Sequence, residues 1–383
     1  MGWRKVFVDY SRKEVPDDED LPCFRDVKSR RYLVGGSPSP LPLPLPLPRS
    51  TRSEDGSVFV HDPRHFPGAK SFGFLDFVKW RRNVVATPRP TKDELLRLKG
   101  FPVDHTKLGS QLPRGDLQAT FLGHASMVLR VGEHCVLFDP VLSRRCSPSQ
   151  WVGPERLQEC PLKLEDLTVA VDVVCISHNH YDHLDASTVL EVAKRFKPVF
   201  FVPLGLAKWF RKLGIRNVVE LDWTEQVNLQ TPGKGGGLLL TCLPCQHFTS
   251  RGVRDRNRTL WCSWIVQGEG KTFYFGGDTG FCESIFKGIG EAFGPIDLAA
   301  IPIGAYGHET ERWFMKPVHM NCEEAVKCHV LLKSRQSIGI HWGTFQLTAE
   351  PVLEPPRLLA SEMRKGDLNP FCVLEHGETR SFS

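Results

Sequence analysis

Ser177-His178-Asn179-His180-Tyr181-Asp182-His183-Leu184-Asp185 follows directly on the apolar run 171–176. Three histidines and an aspartate fall within six positions, at the end of a segment that reads as a buried strand. Imidazoles and a carboxylate delivered to one strand end cannot all be buried without partners, and a cation satisfies them together. A polar loop with chance histidines is the alternative reading, and the density of ligand-type side chains argues against it.

Three further apolar runs behave the same way. Residues 238–243 lead to His247, 272–275 end in Gly276-Gly277-Asp278-Thr279-Gly280, and 337–340 end at His341, followed by Trp342-Gly343. Strands that deliver polar residues to one end of a sheet build a site on rigid scaffolding. The resulting seven ligands suffice for two metals about 3.5–4 Å apart with a bridging water. The expected partition is His178, His180 and His247 on one ion and Asp182, His183 and His341 on the other, with Asp278 between them. A nitrogen-rich set with carboxylates and no cysteine favours two zinc ions per chain, although iron and manganese accept similar donors. The bridging water is expected to lose a proton near neutral pH and act as the nucleophile.

Asp139, after 136–138, is placed to hold a metal-bound histidine from behind; an ordinary Asp-Pro turn is the alternative. His124, in Leu122-Gly123-His124-Ala125-Ser126, is open to the same role. The loop after His247 carries Arg251, Arg254, Arg256 and Arg258. Four guanidinium groups beside a metal site suit a phosphate, and a solvated basic loop is the plainer reading.

At 383 residues and 41% hydrophobic, the chain can bury a large core. A net charge of +5 and a pI near 8.6 suit an anionic surface or substrate, but are too weak to argue for nucleic acid. No run of eighteen apolar residues appears, so no bilayer span is expected. The start, Met1-Gly2-Trp3-Arg4-Lys5, lacks the apolar core of a secretory signal, and the twelve cysteines are scattered. A reducing intracellular compartment follows, with Cys242 and Cys245 structural.

Residues 1–55, with the acidic patch 17–20 and alternating Leu-Pro over 41–48, read as a largely disordered low-complexity tail. Residues 56–118 read as an extension. Its segment 72–82 mixes aromatic and basic residues, as in a helix resting at a membrane interface. Phe74, Leu75, Phe77 and Trp80 are the expected contacts, and a helix docked on the main domain is the alternative. From 119 to 383, short strands alternate with helices at 187–195, 204–213, 285–293 and 322–331, the pattern of a layered α/β domain.

The segment 177–185 together with 201–206, 276–282, 293–306, 312–316, 340–345 and Glu354-Pro355-Pro356 resembles the N-acyl-phosphatidylethanolamine-hydrolysing phospholipase D family. That family is a zinc-dependent branch of the metallo-β-lactamase fold, and most of 119–383 is covered. The metal motif is shared by the whole superfamily. Ile301-Pro302-Ile303-Gly304-Ala305-Tyr306 with Arg312-Trp313-Phe314-Met315 is particular to the branch. The resemblance implies a four-layer αββα sandwich with the metals at one edge, and a homodimer peripheral on the cytoplasmic face of membranes such as Golgi or endosome. It implies His319 as a catalytic residue near the substrate phosphate, with Tyr181 beside the substrate and Asp182 and Asp278 in the catalytic set. The implied reaction is attack of a metal-bridging hydroxide on phosphorus, releasing N-acylethanolamine and phosphatidic acid, with His319 protonating the leaving oxygen. Relative to the family's animal members, 307–311 reads as a short insertion. The runner-up is a hydrolase of the same fold for a soluble ester, lactone or phosphodiester. The complete ligand set speaks against a lipid-binding protein with a decayed site.

Overall fold

The computed structural model describes residues 5–7, 33–40, 47–83, 89–98, 100–252 and 254–383, without the side chains of 5–7, 33–40, Phe74 and Phe77. The acidic patch 17–20 and the Leu-Pro tract over 41–46 lie outside the described residues.

Among the described residues the chain forms two large sheets. One runs in spatial order Val218–Leu221, Val199–Pro203, Val173–Cys175, His134–Phe138, Ser126–Val131, Leu117–Gly123 and Thr379–Phe382. The other runs Lys5–Phe7, Leu33–Pro40, Glu225–Gln230, Leu238–Leu243, Ser263–Gly268, Lys271–Phe275, Leu298–Pro302, Ser337–Ile340 and Phe371–Val373.

Side-chain alternation along each strand sorts the layers. Val173 and Cys175 join the core between the sheets, whereas Val174 and Ile176 join the outer cluster with Val189 and Val192 of the helix Ala186–Phe196. Phe138 bridges the sheets, its ring 5.3 Å from Phe273 and 4.6 Å from Phe275. The far face of the larger sheet is covered by the helices Glu283–Phe293, Cys322–Leu331 and Glu354–Met363 through Ile285, Ile289, Ala325 and Leu359. Helix, sheet, sheet and helix make the four-layer αββα sandwich expected from the resemblance.

The helix expected over 322–331 has those bounds, and that over 187–195 extends by one residue at each end. Its start is set by Asp185, whose carboxylate accepts from Ser187 N. The helix expected over 204–213 is shorter, Ala207–Lys212. Gly205 takes a φ of +86° with the Arg258 carbonyl 3.1 Å from where its Cβ would be, which makes 204–206 a turn.

Leu47, Phe59 and Phe66, which precede residue 119, are buried in the core between the sheets. The helix Phe74–Asn83 docks on Glu309–Met315: Trp80 stacks on Phe314 at 5.3 Å and donates through Nε1 to Glu311 at 3.1 Å. Leu75 on the same helix is 80% exposed. Among the described residues no helix is long and apolar enough to cross a membrane.

Parallel pairing aims the important strand ends the same way. His134–Phe138 is parallel to Val173–Cys175, and Lys271–Phe275, Leu298–Pro302 and Ser337–Ile340 are successively parallel. Their carboxyl ends lead into Asp139, Ser177, Asp278 and His341.

Candidate metal centre

Two clusters of His and Asp ligand atoms form at these strand ends, the atoms of each lying within 4.8 Å of one another. One holds His178, His180, His247 and Asp278; the other holds His124, Asp182, His183 and His341. Asp278 joins them. Its Oδ2 lies 3.1 Å from His183 Nε2, 3.6 Å from His247 Nε2 and 3.9 Å from His178 Nε2, and its Oδ1 lies 3.0 Å from His341 Nε2. All seven residues singled out in the sequence are thus brought together.

The histidines are oriented from behind. Asp139, fully buried, accepts from His183 Nδ1 at 2.7 Å and from Ser177 N at 2.7 Å. Ser177 Oγ donates to Asp139 and is 2.9 Å from His178 Nδ1, and the Val318 carbonyl is 3.0 Å from His247 Nδ1. With hydrogens on those Nδ1 atoms, the Nε2 lone pairs of His178, His183 and His247 face the clusters. The holding role read for Asp139 is therefore present. His124 Nε2 is 2.8 Å from Asp182 Oδ2, so the supporting role open to His124 is exercised on a carboxylate.

The site asks for positive charge. His178 Nε2 and His180 Nδ1 approach to 2.8 Å, and His183 Nε2, His341 Nε2 and Asp278 Oδ1 are buried without a hydrogen bond. Such orphaned atoms are costly unless an ion takes their lone pairs. Burial alone would raise the Asp278 carboxyl, yet the charges of His183, His341 and His319 hold it well below the carboxylate range. Burial would likewise lower His341, and Asp278 with Asp182 instead lifts it to about 9. Burial holds His180 down to about 4, where the positive charges of His183 and Arg256 also push it. The donor set and its charge balance fit a pair of divalent cations.

His319 stands at the edge of this centre. Its ring is 5.2 Å from those of His247 and His341, and its buried Nδ1 makes no hydrogen bond. Tyr181 faces elsewhere, under the guanidinium of Arg251 at 4.0 Å, and lines a cavity with Arg145, Trp209 and Arg251. Of the residues read as membrane contacts, Trp80 is packed as described above, Leu75 is exposed, and the side chains of Phe74 and Phe77 lie outside the described residues.

Arg251 is a residue whose role the sequence did not disclose. Its Nη1 donates to the carbonyls of Asn179 at 3.0 Å and Leu184 at 2.7 Å, which bracket the ligand-bearing loop. It thereby ties the loop after His247 to the loop of His178, His180, Asp182 and His183. The sequence offered only a run of arginines there.

A family model described as the beta-lactamase superfamily domain matches residues 134–342. The chain is 44% identical over 301 residues to N-acyl-phosphatidylethanolamine-hydrolyzing phospholipase D 1 of Caenorhabditis elegans, covering 73% of this chain and 83% of the relative. It is 32% identical over 314 residues to the mitochondrial enzyme of that name from Saccharomyces cerevisiae, covering 79% of this chain and 65% of the yeast protein. Among solved structures, Igni18, a metallo hydrolase of Ignicoccus hospitalis, superposes with a TM-score of 0.50 at 22% identity, covering 70% of this chain and 99% of that one. At that identity the likeness bears on the fold alone. On the strength of the two sandwiched sheets, the paired His/Asp clusters and the nematode relative, the chain belongs to the metallo-β-lactamase superfamily and, within it, to the N-acyl-phosphatidylethanolamine-hydrolysing phospholipase D family.

Proposed function

We propose that the protein is a zinc-dependent phosphodiesterase of phospholipase D type, converting N-acyl-phosphatidylethanolamine to N-acylethanolamine and phosphatidic acid. The observation that supports this best is the pair of His/Asp clusters sharing Asp278, in a chain 44% identical to the nematode protein of that name. His178, His180, His247 and Asp278 would hold one ion, and Asp182, His183, His341 and Asp278 the other. Imidazoles with carboxylates and no thiolate suit zinc. When bound, such a pair supplies Lewis acidity, withdrawing charge from phosphoryl oxygens and making water more acidic.

The chain's own groups divide the remaining work. Asp139 and Ser177 fix His183 and His178 so that their lone pairs do not wander. His319, with an unpartnered Nδ1 beside Asp278 and His341, would relay the proton released by the attacking water to the leaving ethanolamine oxygen, since burial holds the imidazole down to about 3 and leaves it without a proton at rest. The P–O bond to that oxygen breaks, and the water oxygen ends on phosphatidic acid. A small cleft beside His341 has a mixed lining, with Trp342, Phe345, Leu347 and Val352 next to His124, Gln346, Thr348 and Glu350. Leu75, exposed on a helix with Lys79, Arg81 and Arg82, would be one contact with a membrane surface.

Purified protein incubated with N-acyl-phosphatidylethanolamine in mixed micelles, with and without chelator and restored zinc, tests the reading by mass spectrometry of the products. Chelator-sensitive release of N-acylethanolamine with phosphatidic acid is expected. No release from fully metal-loaded protein would overturn the substrate and redirect the search to soluble esters, lactones and phosphodiesters.

A further inference from the structure

The four arginines of the loop after His247 are not equivalent. Arg251 is spent on the carbonyls of Asn179 and Leu184. Arg254, Arg256 and Arg258 are all exposed, and Arg254 and Arg258 make no ring contact or ion pair among the described residues. Arg256 instead lies over an aromatic ring beside the ligand histidines. Its guanidinium carbon lies 4.3 Å from the centroid of the Phe248 ring, and that ring packs edge-on against His180 at 4.7 Å and lies 5.0 Å from His247.

This placement is built into the loop. Asn257 N donates to the Thr249 carbonyl at 2.8 Å, and Thr249 N donates to the Asn257 side chain at 3.1 Å. Asn257 holds a φ of +56°, and its carbonyl accepts from Phe59 N at 2.7 Å. The Thr249/Asn257 pair fixes the two arms of the loop, and the Arg256 side chain reaches across to the Phe248 ring. The neighbouring Asp255 is turned to the backbone N–H groups of Arg251 and Gly252 and makes no ion pair with Arg256. Among the described residues no carboxylate lies within ion-pair distance of Arg256. A guanidinium stacked on an aromatic ring, unpaired and one ring away from two ligand histidines, is a donor in want of an anion.

We propose that Arg256 is the anion-recognising residue of the centre, donating to a charged, non-bridging oxygen of a phosphate ester bound against the His/Asp clusters. The inference rests on the phosphodiesterase reading for its natural ligand, but the recognition is for the phosphate anion itself. Arg256 makes no bond to the reacting atoms before the substrate arrives, and its contribution falls on affinity. Phe248 supplies the ring face on which the exposed guanidinium rests.

The first test is calorimetric titration of inorganic phosphate into metal-loaded protein at low ionic strength, for wild type, Arg256→Gln and the control Arg254→Gln, with metal content measured on each sample. Arg256→Gln is expected to weaken phosphate binding about tenfold, the loss of one charge-assisted contact, while Arg254→Gln changes it less than about twofold. Equal phosphate affinity in wild type and Arg256→Gln at equal metal content overturns the proposal. In turnover of N-acyl-phosphatidylethanolamine, Arg256→Gln is expected to raise KM about tenfold and hold kcat within about threefold. Weaker phosphate binding with an unchanged KM overturns it as well, because the substrate anion is then held elsewhere. A wild type that binds phosphate through Arg256 yet releases no N-acylethanolamine refutes the phospholipid substrate and supports Arg256 as the anion contact.

Discussion

Replacing Arg251 with alanine is expected to loosen the loop that carries His178, His180, Asp182 and His183. The wild-type guanidinium donates to Asn179 O at 3.0 Å and Leu184 O at 2.7 Å, and lies 4.0 Å from the Tyr181 ring and 5.2 Å from the Trp209 ring. A hydrogen bond from a charged donor contributes about 1.5–3 kcal/mol. One nitrogen serves both carbonyls and the side chain is only partly buried, so the lower end applies, about 3 kcal/mol for the pair. The aromatic contacts add about 1 kcal/mol. The expected loss is therefore about 3–4 kcal/mol, and Arg251→Lys, which can reach one carbonyl as a point charge, should recover about half. Urea denaturation of the metal-free protein reads the stability term. Competition with a chelator on the loaded protein reads the site, where a drop of about 10–100-fold in metal affinity is expected. A destabilisation below about 1 kcal/mol together with unchanged metal retention would refute the clamp.

Asp139→Asn removes the carboxylate that fixes His183 through Nδ1, and chelator competition is expected to show metal affinity down about 10–100-fold; an unchanged affinity would remove Asp139 from the site. Gly304→Ala would put a Cβ 2.0 Å from the His341 carbonyl oxygen, so the strand end carrying His341 must shift. A cost of about 1–3 kcal/mol with partial metal loss is expected by calorimetry, and an unchanged melting temperature would contradict it. His61 and His329 are each held by burial at about 4, below the ordinary 6.5, so between those values the unfolded chain binds protons that the folded chain refuses. Their stability contribution is full above pH 6.5 and is lost as pH falls toward 4, about 2 kcal/mol each at pH 5. Denaturation midpoints that stay flat from pH 7 to pH 5 would refute it.

Much of the centre was legible because strand periodicity and ligand chemistry agree. Val173 and Cys175 inward, Val174 and Ile176 outward, then a polar cluster, is a pattern with few other solutions. Asp139 could be suspected because it follows an apolar strand as the histidines do. The contacts of Arg251 could not, since they depend on a loop returning to carbonyls 67 and 72 positions away. The composition of 72–82 suits a membrane face or another helix equally, and only the tertiary structure shows Trp80 against Phe314 and Glu311. The stretch 307–311, legible only as extra residues, supplies a helix cap and the buried Glu311 carboxylate, which accepts from Trp80, His308 N and Ala349 N. Tyr181, inside the motif, faces Arg251 because neighbours in a turn need not share a direction.

Asp278 is expected to join two cation sites in one centre. Elemental analysis of purified wild type and Asp278→Ala, after dialysis against metal-free buffer, tests it without recourse to any substrate. Two divalent ions per wild-type chain and no more than one in Asp278→Ala are expected, with unfolding still cooperative in both. Fewer than two tightly held ions in wild type, or two retained without Asp278, would contradict it.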